Sequence, residues 1–430
     1  MDNYLDQSLE GPLSAGHSAG FRAASAVATQ HDTKTAFEDI LAQLSFNRAD
    51  PPDFVTLHYG AGRPAQSVWE NAKDVFGDGA LHGGSSCLGV MSEKGAAIEN
   101  GNAIGVFAIW DREGAYGTGA CPLRQSPREA AAIATRAALQ QADRMGEAPE
   151  LVWLTAAPGH EEEVLQGIKD VVGTPALIIG GSSADNDVSG KWSQFTSEGA
   201  HAEAVVVSVL FPSVPIGCSF ESGYAPTEQH GTITRAEGRS VYSIDGRPAG
   251  EVYAEWTKGA VPVPAEGSAS ILAQSTMFPL GRRLTQVDGI DFHILAHPAV
   301  GHADGTLDLF ADLQEGQKVW LMNGSQDSLV ERAGRIASKS YRQIPQGVSG
   351  SLMIYCGGCM LSVTERMNEV AAQVAEGLEQ APFLGVFSFG EQGETLSGGS
   401  EHGNLMISCI TFGVEDDSDP TSRPTDLAYV

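Results

Sequence analysis

Basic residues are scarce in this chain. Its 430 residues carry 26 Lys and Arg against 54 Asp and Glu, a formal charge of −28. A surface that acidic repels the phosphates of nucleic acid and of anionic lipid, so neither partner is expected. Charged residues as a whole are also few, at 19%, while apolar residues reach 42%. That balance describes a folded acidic protein with ample core, not a solvated polyelectrolyte. Long apolar runs are missing. The most apolar stretch, 204–217, contains Pro212 and Pro215 and is too short to span a bilayer. The N-terminal stretch holds Asp2, Asp6 and Glu10 and no apolar block, so it does not read as a signal peptide. Six cysteines spread over this length make no disulfide framework and point to a reducing compartment. A soluble, cytoplasmic protein of two or three domains is expected.

Glycine is what the chain has in excess. It contributes 51 of 430 positions, about 12% against an average near 7%. Many tight turns or backbone-lined sites follow. The glycines also mark an internal repeat. Asp53-Phe-Val-Thr-Leu57 and Glu150-Leu-Val-Trp-Leu154 each open a unit with a short apolar strand. Val68, Ala72, Val75 and Phe76 in one, and Val164, Ile168, Val171 and Val172 in the other, keep a spacing of i, i+4, i+7, i+8. That is one face of a helix, closed by Gly77 and by Gly173. The motifs Gly83-Gly-Ser-Ser86 and Gly180-Gly-Ser-Ser183 follow, 97 positions apart, then the strands 103–110 and 204–211. Ser126-Pro-Arg-Glu129 is a capping box that starts a bridging helix. A fainter third copy runs from Lys318-Val-Trp-Leu-Met322 through a helix over 327–344 to Ser351-Leu-Met-Ile-Tyr355. It ends on Cys356-Gly-Gly-Cys359, with a further helix capped at Ser362-Val-Thr-Glu365. Residues 219–317 are rich in Thr, Pro and Gly and read as short strands.

Glycine turns crowd backbone N–H groups together and can present them to a carboxylate, a phosphate or an oxyanion. The same turns also serve as sharp corners of a sheet. Cys87, beside one of them, is a candidate nucleophile or a small buried residue. Cys356 and Cys359, between a strand and a helix, have the placing of a redox dithiol. Zinc has no support, because no second Cys pair is present. His293, His297 and His302 read as a surface group. Glu391 after the run 383–389, with His402 and Asn404 before the strand 405–412, could hold a polar molecule or cap a hairpin. No P-loop, GxSxG elbow, kinase signature or dinucleotide fingerprint is visible.

Six of these motifs, in order, resemble the FIST family (F-box and intracellular signal transduction). They are Gly83-Gly-Ser-Ser-Cys87, Ile179-Gly-Gly-Ser-Ser-Ala-Asp-Asn186, Ser243-Ile-Asp-Gly-Arg-Pro-Ala249 with Val252-Tyr253, Ser351-Leu-Met-Ile-Tyr-Cys356, Phe383-Leu-Gly385 with Phe389-Gly-Glu391, and His402-Gly-Asn404. Cys359 stands where many members carry Arg, and Leu405-Met406 replace the polar residues usual after the His-Asn element. The resemblance implies a sensory, small-molecule-binding protein with FIST N-terminal and C-terminal domains, feeding a histidine kinase, a cyclase or a chemoreceptor. It also implies haem and nitric-oxide sensing as an alternative. A cysteine enzyme or redox switch at Cys87 or Cys356/Cys359 is the third reading.

The expected fold is mixed α/β, with repeated strand–helix–strand units forming sheets packed against helices. A loose arm is expected over 1–34, the first FIST half over 35–217, the second over 218–414 and an acidic tail over 415–430. The expected ligand site gathers Gly84, Ser85, Ser86, Cys87, Gly181, Ser182, Ser183, Asp185, Asn186, Cys356, Gly357, Gly358, Glu391, His402 and Asn404.

Overall fold

A computed structural model describes residues 20–124, 126–287, 290–396 and 398–415. Its frame is one unit used three times. Each unit opens with an edge strand: Arg22–Ala28, Ala115–Pro122 and Ile216–Ser222. Two parallel strands joined through a helix follow. They are Phe54–Gly60 with Ala80–Ser86, Leu151–Ala156 with Ile178–Ser182, and Val348–Cys356 with Phe383–Ser388. A last strand lies antiparallel between the edge strand and the first parallel one: Ile104–Trp110, Ala204–Phe211 and Met406–Gly413.

Each sheet is finished by a hairpin from another unit. The second unit lends Gln194–Thr196 and Gly199–His201 to the first. The third lends Glu391–Glu394 and Ser400–Gly403 to the second, and the first lends Val90–Ser92 and Gly95–Ala97 to the third. The exchange is cyclic, so each unit's sheet is incomplete without the next. It also covers the strand edge that would otherwise invite mispairing.

The strands read as continuous apolar runs because both faces are covered. Every residue of Leu151–Ala156 is buried, as is all but the last of Ala204–Phe211. On one side the helix Pro127–Gln141, capped by Ser126 Oγ accepting from Glu129 N, lies flush on the strand Ala115–Pro122. Gly119 makes this approach possible: a Cβ there would stand 2.2 Å from the carbonyl oxygen of Ala134. The expected helix faces hold, with Val68, Ala72, Val164 and Ile168 buried against their sheets.

Between its edge strand and its first helix, the third unit detours through a nine-stranded antiparallel sheet spanning 225–323. This insert has its own core, built on Ile233, Val241, Ile244, Tyr253, Leu280 and Leu321, with the helix Ala249–Trp256 packed on it. It is the Thr-, Pro- and Gly-rich region of the sequence.

Three expectations change. The arm over 1–34 gives way at Arg22, where an edge strand begins, and Thr33–Gln43 is already a helix. The capping box at Ser362 does not form. Instead Gly357–Ser362 is a short helix, and Ser362 Oγ bonds back to Gly358 O. His297 is buried, so the three histidines are not a surface group. The tail beyond residue 415 lies outside the described residues. No described helix is long and apolar enough to cross a membrane.

Candidate functional site

The strand register shows which residues are equivalent. Ser85 stands opposite Tyr59, Ser182 opposite Ala156 and Ser388 opposite Cys356. The third counterpart of the Gly-Gly-Ser turn is therefore Val386-Phe387-Ser388, not Cys356-Gly-Gly-Cys359, which follows the preceding strand. The turns do converge. Ala184 N donates to Ser85 O at 3.1 Å, Ser182 N to Gly390 O at 2.7 Å, Phe389 N to Ser182 O at 3.1 Å and Cys87 N to Phe387 O at 3.0 Å. Phe387 N donates to Ser86 Oγ at 2.9 Å. The amides expected to meet a ligand thus bind one another, and knit the three units together. Gly84 and Gly181 are needed for this closeness, since a Cβ on Gly181 would lie 2.6 Å from Ser388 Cβ. Gly84, Ser85, Ser86, Cys87, Gly181, Ser183 and Gly357 belong to this closed centre rather than to a pocket.

An open pocket lies beside it, where the second unit, the third unit and the insert meet. Its volume of about 650 Å³ suits a small organic molecule. Of the expected residues, Cys356, Gly358 and Asn404 line it. Trp192, Phe310, Phe389, Leu272, Leu361 and Val188 supply most of the rest, with Glu161, Arg239, His297 and Thr276 as polar groups. Ser182, Glu391 and His402 stand one layer behind. Ser182 Oγ donates to Glu161 at 2.6 Å, Ser388 Oγ to Glu391 at 2.7 Å, and His402 Nε2 lies 3.2 Å from Phe310 O. Asn404 orients the wall: its Oδ1 accepts from His297 N at 3.0 Å.

Asp185 and Asn186 do not face the pocket; they shape the loop that borders it. Asp185, fully buried, accepts from Val188 N at 2.6 Å and from Lys191 N at 2.8 Å. Asn186 Oδ1 accepts from Leu88 N at 2.8 Å and ties this loop to the first unit. Val188 and Trp192 are thereby placed on the pocket rim.

Matches to family models cover most of this fold. A FIST N domain spans 53–247 and a FIST C domain spans 249–394. The chain belongs to the FIST family. Domains of this family are signal-transduction sensors. The FIST N match takes in the first unit from the strand Phe54–Gly60 onward, the second unit, the third unit's edge strand and the first strands of the insert, so the border between the two matches falls later than the start of the third unit at Ile216. An uncharacterized protein of Methanocaldococcus jannaschii is 31% identical over 103 residues, which cover 24% of this chain and only 20% of that protein. A cyanuric acid hydrolase from A. caulinodans aligns over 91% of this chain and 99% of its own, at 10% identity and a TM-score of 0.38. A second cyanuric acid hydrolase structure aligns over 91% and 100%, at 10% identity and a TM-score of 0.31.

Charge is concentrated at one corner of the FIST pocket. Arg239 Nη2 lies 2.6 Å from Glu161 and 2.8 Å from Glu162, and Nε lies 3.6 Å from Asp312. Burial pushes the Glu161 carboxyl up, yet His402, Arg239 and Ser182 outweigh it and hold the group down at about 2. The three ligand atoms of Glu161, Glu162 and His402 lie within 4.8 Å of one another, but the Arg239 guanidinium already supplies the cation there. Elsewhere burial is the largest cause. It raises the thiols of Cys356 and of Cys87, the latter to about 12, raises Glu391, and lowers His297 to about 4.

Sequence reasoning missed Glu161, Arg239, His297 and the aromatic walls. Glu161 had a signal, as the first of three Glu after Gly159-His160 at a helix start. Arg239, in a turn between strands, had none.

Proposed function

We propose that this FIST protein senses a small, largely apolar organic molecule held in the pocket between the second unit, the third unit and the insert. One observation carries the reading: three distinct parts of the chain each contribute a wall to one pocket of about 650 Å³ with few polar groups. A ligand there bridges the insert and the two units, so occupancy changes how the insert sits on the frame. The change passes to a partner such as a histidine kinase, a cyclase or a chemoreceptor, in the cytoplasm. The expected anion receptor is less well supported, because the turn amides satisfy each other and Arg239 is held by three carboxylates.

Binding rather than turnover is favoured by the surroundings of the thiols. A cysteine acyl-transfer enzyme needs an imidazole on its thiol, and among the described residues none bonds to Cys87 or Cys356. Haem fits poorly as well. The Nε2 of His297, which lines the pocket, is 3.0 Å from Ser275 Oγ and 3.2 Å from Leu272 O, so it is already engaged. Cys356 is hydrogen-bonded to Cys359. Native mass spectrometry of freshly purified protein, followed by a thermal-shift screen of small organic compounds, tests the reading. A compound should raise the melting temperature of the wild type and lose that effect in Leu361→Glu. Steady turnover of a substrate with no stabilising compound would overturn it, and a Soret band on haem titration would reinstate haem.

A further inference from the structure

Cys356 and Cys359 stand apart from the other four cysteines. All six are free. Cys356 ends the strand Val348–Cys356 on the pocket wall, and Cys359 follows one turn later, fully buried, in the helix Gly357–Ser362. Their sulfurs are in hydrogen-bond contact, and the N–H groups of Gly358 and Cys359 also point at the Cys356 sulfur. Behind them lies Glu391. Its carboxyl accepts from Ser388 Oγ at 2.7 Å and Met406 N at 3.0 Å, and it touches the Cys356 thiol. Tyr224 Oη closes the far side, 3.7 Å from Cys359 Sγ. The arrangement is a thiol open to a pocket, a second thiol sealed behind it and a buried proton carrier against the first.

We propose that Cys356 and Cys359 form a thiol–disulfide exchange site whose substrate is a small aliphatic disulfide entering through the pocket. The Cys356 sulfur attacks one sulfur of the disulfide RSSR. Its proton is taken up through the Glu391 carboxyl behind it and the departing thiolate takes a proton from solvent in the pocket, leaving a mixed disulfide Cys356–S–S–R and one RSH. Cys359 then attacks the Cys356 sulfur, displaces the second RSH and closes the Cys356–Cys359 bond. Two thiols are oxidised to one disulfide while RSSR is reduced to two RSH, so atoms and electrons balance. Burial leaves little thiolate, so the exchange is slow and stoichiometric. Once formed, the thiolate of a high-pKa thiol is the stronger nucleophile. Gly358, Leu361 and Ser362 of the same helix also line the pocket, so the bond alters the wall that a ligand meets. The exchange does not depend on which ligand is sensed.

The test uses the full-length protein and bis(2-hydroxyethyl) disulfide, with acid quenching, alkylation of remaining thiols and peptide mapping by mass spectrometry. The wild type should lose two alkylatable thiols, both within the peptide holding 356 and 359. Cys359→Ser should stop at the mixed disulfide on Cys356. Cys356→Ser should leave Cys359 unmodified, and Glu391→Gln should slow the first step about 100-fold. Wild-type mapping alone is decisive should a variant fail to fold. Modification confined to the half-exposed Cys121 and Cys218, with 356 and 359 still alkylatable, would overturn the proposal. So would an unchanged end product in Cys359→Ser.

Discussion

The closed centre and the open pocket are built from neighbouring stretches of the same strands, yet only one of them has room for a ligand. At the centre, each repeated turn meets two others, and the N–H groups of Cys87, Ser182, Ala184, Phe387 and Phe389 each find a carbonyl or hydroxyl of a counterpart. At the pocket, repeated strand ends meet the insert, which has no counterpart to pair with them. Symmetry satisfies polar groups internally, and the break in symmetry leaves a space. Crowded amides are therefore weak evidence for a ligand site unless their partners are known.

The pocket corner should give the largest effect. Arg239→Met leaves the buried Glu161 and its neighbour Glu162 without their cation, and breaking a buried pair costs about 3–5 kcal/mol. Urea unfolding measures this loss. Its pH dependence has a definite sign. Glu161 is depressed from 4.5 to about 2, so the stability it confers is present above pH 4.5 and lost as pH falls through about 2. The deficit of the variant should shrink over the same window. Gly181→Val at the closed centre should cost about 3 kcal/mol by overpacking, because its side chain would meet Ser388. That loss is steric and should not vary with pH. Equal pH profiles for the two variants would erase the distinction between the regions.

Much of the frame was legible because it is local. The helix faces at Val68 and Val164, and the two Gly-Gly-Ser-Ser turns, lie within single units and recur in order. The third turn is hard to place because Cys356-Gly-Gly mimics the motif, whereas its true counterpart, Val386-Phe387-Ser388, keeps the serine and neither glycine. The edge strand Arg22–Ala28 hid for another reason. Its Ala- and Ser-rich sequence has low strand preference, and only pairing with Ile104–Trp110, far along the chain, makes it a strand. The pocket was the least legible part. Arg239 lies 78 positions from Glu161 and His297 lies 107 from Asn404, and no periodicity encodes contacts made by an insert folding back.

Histidines test both regions at once. Burial lowers His58, which stands opposite Gly84 of the centre, to about 3 and His297, on the pocket wall, to about 4. The unfolded chain takes up these protons below about pH 6.5 while the folded one refuses them. Stability therefore falls as pH drops from about 6.5 through these values. His297→Asn should remove its share of that slope, at most about 3.4 kcal/mol for a fall from 6.5 to about 4, and leave the share of His58. Calorimetry at stepped pH reads both. An unchanged slope would show that His297 is solvated, and the wall open.

The smallest effect bears on the rim. Val188 has φ of +58°, a conformation that a β-branched residue rarely adopts, and it is 46% exposed. Neither packing nor backbone preference accounts for Val there. The Asp185 carboxylate, by gathering the N–H groups of Asp187 and Val188, imposes the turn, and the Val methyl groups are left against the pocket. Val188→Asn suits the left-handed backbone and should stabilise the protein by about 1 kcal/mol, seen as a higher urea midpoint. It should also weaken, about tenfold, the compound returned by the thermal-shift screen, since roughly one buried aliphatic side chain's contact is lost. Stabilisation without weakened binding would mean that the strained loop only closes the frame, and the rim would then belong with the closed centre rather than with the pocket.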